Sequence, residues 1–89
     1  MRSVFKYPLD VVDEQIVVMP HGAEVLAVNR QGDTICVWAI VDEDAAEEEY
    51  HFSIRGTGHP LPGPATKATH VGTVFQGPFV WHVFLVTPI

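Results

Sequence analysis

Residues Ala23–Val41 read AEVLAVNRQGDTICVWAIV: two apolar runs, Ala23–Arg30 and Thr34–Val41, joined by Gln31-Gly32-Asp33. A short glycine-bearing link between segments rich in β-branched and aromatic residues is the mark of a β-hairpin, because a residue free to take positive φ matches the turn to the twist of the strands. The second run is apolar on both sides, with Cys36, Trp38 and Ile40 opposite Ile35, Val37 and Ala39. A strand with one wet face would alternate, so this run predicts cover on both faces.

Working outward, Glu14–Met19 (EQIVVM) is β-branched and closed by the turn signal Pro20-His21-Gly22, which predicts a strand. Glu49–Arg55 alternates, with Tyr50, Phe52 and Ile54 on one face and His51, Ser53 and Arg55 on the other. That is the pattern of a half-buried strand. Thr69–Phe75 and Phe79–Val86 flank Gln76-Gly77-Pro78 and read as a second hairpin. The last strand sets Phe79, Trp81, Val83 and Leu85 against Val80, His82, Phe84 and Val86. Asp42–Glu49 holds six carboxylates in eight residues, and their mutual repulsion predicts a solvated loop. The expected fold is all-β, a small antiparallel β-sandwich or barrel of about six strands forming a single domain over residues 1–89.

Composition narrows the function. At 89 residues, 47% of them hydrophobic and 18% charged, the chain has more apolar surface than a domain with so thin a core hides. With two strands apolar on both faces, the expectation is a homo-oligomer, a dimer or higher. The formal net charge of -6 argues against general nucleic-acid binding, which gains its affinity from Lys and Arg displacing counterions. An acidic chain favours a basic protein partner. Cys36 is the only cysteine, so no intramolecular disulfide or CxxC site exists, and an intracellular, cytoplasmic setting is expected. Lys6 and Pro8 interrupt what would be the apolar core of a signal peptide, and Phe79–Val86 is too short for a membrane helix.

The segment Ser53–Lys67, SIRGTGHPLPGPATK, is the candidate site. Gly56 and Gly58 let backbone approach a ligand closely, while Arg55, Thr57, His59 and Lys67 bring charge and hydrogen bonds suited to a phosphate or carboxylate. It lacks the GK[ST] ending of a P-loop and the full Rossmann fingerprint. The competing reading is a turn stiffened by Pro60, Pro62 and Pro64.

No catalytic or metal centre is indicated. His21, His51, His59, His70 and His82 contain neither an H-x-H pair nor H-E-x-x-H, the spacings that put two rings on one face; Glu49 and His51 share a face as a weak pair. Cys36 sits mid-strand, where a thiol is inert. Ser3 and Ser53 lie in no nucleophile elbow, and no cofactor is implied. The Asp42–Glu49 carboxylates are read either as a docking surface for a basic partner or as a hydrated loop.

FKYPLDVVDEQIVVMPHGAEVL, CVWAIVD, IRGTGHPLP and VGTV followed by FVWHVF, spanning about Phe5 to Phe84, resemble a family of small uncharacterised bacteriophage and prophage proteins. The resemblance implies no activity, cofactor or catalytic residue. It implies a setting, an infected or lysogenic bacterial host. There a small protein without catalytic motifs counters defence by blocking a host protein or sequestering a nucleotide signal, or else serves as a structural or accessory virion component. A small enzyme is the third alternative.

Overall fold

The computed structural model describes residues 1–60 and 66–88. Seven strands follow in order: β1 (Arg2–Leu9), β2 (Glu14–Pro20), β3 (Glu24–Gln31), β4 (Thr34–Asp42), β5 (Glu47–Gly56), β6 (Thr66–Gln76) and β7 (Phe79–Pro88). They form two antiparallel sheets, β1-β4-β3 and β2-β5-β7-β6. The fold is all-β, as expected, with one strand more than the sequence pattern suggested.

The additional strand is β1. Lys6 and Pro8 break its apolar pattern, yet β1 lies at a sheet edge, where a missing N–H costs no ladder bond. Both expected hairpins form. Gln31 pairs with Thr34 and Gln76 with Phe79, leaving two-residue turns whose first residues, Gly32 and Gly77, have φ of 61° and 56°. A glycine in that position is what a II′ turn requires.

The core lies between the sheets. β4 contributes Ile35, Val37, Ala39 and Val41, facing Met19 of β2, Phe52 and Ile54 of β5, Val74 of β6 and Val83 of β7. Cys36, on the outer face of β4, is buried as well. Lys6, beside Trp38, donates to Gln31 Oε1, beside Thr34, and so bridges the β4 position that Cys36 occupies.

Two local expectations are corrected. Glu47, Glu48 and Glu49 are not in a loop: they belong to β5 and pair with Pro20, Met19 and Val18. The ladder to β2 and the burial of Met19 prevail over repulsion among solvated carboxylates, and Glu48 is further paired with His21. Only Glu43–Ala46 connects β4 to β5. In that connection the Asp44 N–H, followed by the terminal ammonium, holds the Asp42 carboxyl below its usual range. The second correction concerns β5, whose Ser53 and Arg55 do not form a wet face. Ser53 is fully buried and donates to the Asp13 carbonyl (2.8 Å).

Candidate functional site

β5 and β6 both run antiparallel to β7 and therefore parallel to each other, with β7 between them. Gly56 pairs with Trp81, near the start of β7, while Lys67 pairs with Thr87, six residues further along. At about 3.3 Å per residue this separates Lys67 from Gly56 by roughly 20 Å. Lys67 is exposed and does not join the glycine loop. Residues 61–65, including Pro62 and Pro64, lie outside the described residues.

Arg55 is turned away from the loop as well. Its Nε donates to Ser53 Oγ (2.8 Å), and its terminal nitrogens reach Glu14 Oε1 (3.5 Å) and Asp13 Oδ2 (3.7 Å). With its side chain only 12% exposed, the guanidinium locks the β1–β2 connection onto β5. Arg55→Lys keeps the charge but loses the Nε–H donor to Ser53. The expected cost is about 1 kcal/mol of stability, read by denaturant unfolding.

Gly56, Thr57 and His59 do come together. The Gly56 N–H donates to His59 Nδ1 (3.1 Å) and the His59 N–H to the Gly56 carbonyl (3.0 Å), folding the imidazole back over its own turn. Gly58, with φ of 89°, makes that turn. A Cβ on Gly56 would lie 2.9 Å from the ring, so only glycine leaves room for it. Gly56→Ala is therefore expected to expel the His59 ring while leaving the fold intact. The check is a changed His59 imidazole NMR signal with Tm within a few degrees of the parent.

These residues form one wall of an open groove of about 320 Å³, whose other wall is Pro78, Phe79, Val80 and Trp81. Phe79 and Trp81 stack with ring centroids 5.4 Å apart and planes 19° from parallel. Phe79 is 55% exposed. Trp81 Nε1 donates to Gln76 Oε1 (3.0 Å), and Gln76 Nε2 donates to the Asp33 carbonyl (3.0 Å), which fastens the β6–β7 turn to the β3–β4 turn. The floor is thus aromatic and held in place, as in a contact surface whose side chains lose little freedom on binding.

On the outer face, Thr57 and Thr73 hydroxyls occupy the two nitrogens of His82 (2.9 and 3.2 Å), and Thr73 also meets His70 Nε2 (3.1 Å). Each imidazole can pair with a hydroxyl whatever its tautomer. The His70 ring lies tilted against Phe84, 5.5 Å between centroids. Among the described residues no group of three His, Cys, Asp or Glu gathers in a way that could hold a metal ion. No helix among them is long and apolar enough to cross a membrane.

Of the residues expected at the site, Gly56, Thr57 and His59 line the groove, Gly58 shapes it, and Arg55 and Lys67 are elsewhere. In the sequence Phe79 shares one face of the last strand with Trp81, Val83 and Leu85 and is not singled out. Its position directly after Gly77-Pro78 is the signal that sets it apart, since a residue at the mouth of a hairpin overhangs the opposite sheet.

The described residues form a small seven-stranded β-sandwich with an aromatic-lined groove at one end. Within that class, the chain belongs to the family described as a domain of unknown function, DUF7352, which matches residues 1–88. No curated protein and no solved structure matches it.

Proposed function

We propose that this chain is a non-catalytic binding protein that works by contact with a host protein through its four-stranded sheet. The observation that carries the reading is the β6–β7 turn. Phe75 (70% exposed) and Phe79 (55% exposed) flank it, Phe75 on the outer face of the sheet and Phe79 in the groove, on a hairpin fixed by Gln76. Exposed aromatic rings on a rigid support are the usual anchors of protein contacts. The net charge of -6 favours a basic partner. The resemblance to phage proteins supplies the setting, countering host defence in the cytoplasm of an infected or lysogenic bacterium. Incorporation into virions is the alternative, and detection of the chain in purified particles would favour it.

Affinity purification from infected cells tests the reading. The chain is expected to retain a stoichiometric host protein and a Phe75→Ala/Phe79→Ala variant to lose it. Equal retention by both, or substrate turnover abolished by His59→Ala, would overturn it. Self-association belongs to the same proposal, with the half-buried Val80, Phe84 and Val86 beside Phe75 as the surface to be covered. A strictly monomeric mass in light scattering at micromolar concentration would remove that part.

The stacked Phe79 ring and His59 also favour a second reading, sequestration of a nucleotide by base stacking. Neither Arg55 nor Lys67 reaches the groove to hold its phosphates, which is why protein contact is preferred. A nucleotide at 100 times its Kd would stabilise the fold by about 2.7 kcal/mol in a thermal-shift screen, and protein contact predicts no such shift.

A further inference from the structure

Four strands lie at sheet edges: β1 and β3 in one sheet, β2 and β6 in the other. An edge offers unpaired N–H and C=O groups to any extended chain, and proteins protect theirs with charge, proline or cover. Three of these edges are protected. On β1 the Glu43 N–H bonds to the Met1 carbonyl, so odd-numbered residues face β4. The outward groups belong to Arg2, Val4, Lys6 and Pro8, two cations and a proline among four residues. β3 and β6 pack on each other, with Gly72 directly against Val28.

β2 is protected only at its ends, by Glu14 and Pro20, and its two middle outward residues are Ile16 and Val18. The Ile54 N–H bonds to the Asp13 carbonyl and the His21 N–H to that of Ala46, so odd-numbered residues face β5. The N–H and C=O groups of Glu14, Ile16 and Val18 therefore point away from the sheet. The same phase puts Ile16 (52% exposed) and Val18 (48% exposed) on the outer face. Backbone groups free to pair and apolar side chains free to be covered coincide on the same residues.

The surroundings select the occupant. Across the ladder Val18 neighbours Glu49 and Pro20 neighbours Glu47, while Glu14 lies on β2 itself. Glu47 and Glu49 form no ion pair among the described residues. His51 is the imidazole beside Ile16, and Arg55 lies against Glu14. We infer that β2 is a docking edge for an extended basic segment of a partner protein. That segment adds as a fifth strand, its aliphatic side chains covering Ile16 and Val18 and its Lys or Arg side chains reaching Glu14, Glu47 and Glu49. A second copy would bring the same carboxylates against themselves and is disfavoured by that repulsion. The inference deepens the binding reading and rests on it.

The probe is a seven-residue peptide alternating lysine and valine, titrated into the full chain, with a glutamate-for-lysine peptide as comparison. Amide shifts and slowed exchange are expected at Ile16 and Val18 for the basic peptide alone. Val18→Pro removes one outward N–H in the phase that Pro20 already occupies on this strand. It should weaken binding at least tenfold with Tm nearly unchanged. The exposed double variant Glu47→Lys/Glu49→Lys, which leaves the ladder and the Arg55–Glu14 pair alone, should weaken it by a similar factor. Undiminished binding by either folded variant, shifts at another edge, or contacts between labelled and unlabelled copies at Ile16 and Val18 would overturn the inference. Failure of the peptide with host-protein capture intact removes this edge alone. Substrate turnover would remove the binding reading itself.

Discussion

Phe52→Ala will lower the stability of this protein by about 3–5 kcal/mol, the cost of truncating a large buried aromatic and leaving its cavity. Phe52 is 1% exposed and is the largest fully buried side chain. It sits on β5 between Gln15 of β2 and Leu85 of β7, against the core presented by β4. A chain of this length has a total stability of about 4–13 kcal/mol, so the truncation removes at least about a fifth of it. At roughly 4–8 °C per kcal/mol the melting temperature should fall by more than about 12 °C. Phe75→Ala is the matched comparison. Its ring is exposed, and stability should change by no more than about 0.5 kcal/mol. Equal effects from the two would mean that the sheets do not pack as described.

Gly72→Ala will destabilise by about 1–3 kcal/mol, the usual cost of overpacking. Its φ is not positive, so the backbone tolerates alanine and the effect is steric alone. The new methyl would lie 2.6 Å from Val28 Cγ1, where β6 meets β3. A register shift between His70 and Gly72 brings the two edges together there. Adding Val28→Ala should relieve the clash, so the double variant is expected to be more stable than the two single losses would sum to. Strict additivity would place the two strands further apart than the structure has them.

How much of this the sequence carried depends on how local each signal is. The hairpin Ala23–Val41 was legible because its turn and its apolar runs are contiguous. So were the strands at Glu14–Met19, Glu49–Arg55, Thr69–Phe75 and Phe79–Val86 and the turns that follow the first and third, each settled within ten residues. β1 was not, because Pro8 reads as a breaker unless the strand is known to be an edge. Glu47–Glu49 read as a loop because the partner that keeps them extended, β2, is some thirty residues away.

The site follows the same rule. Gly56, Thr57, Gly58 and His59 form one turn and were found together, whereas the opposite wall, Phe79 and Trp81, arrives through β7 from more than twenty residues downstream. Arg55 was read as free because the carboxylates that occupy it, Asp13 and Glu14, lie across a ladder. Lys67 was read as a neighbour of the loop because it is near in sequence. The parallel course of β5 and β6, with β7 between them, carries it to the far end of the sheet.

Amide hydrogen exchange on the complex with the captured host protein tests the central claim most directly. Contact through the four-stranded sheet predicts new protection at Gly56–His59, at Phe75–Trp81 and along the β2 edge, with the outer face of β1, β3 and β4 unchanged. Protection confined to that opposite sheet, or none at all, would contradict it.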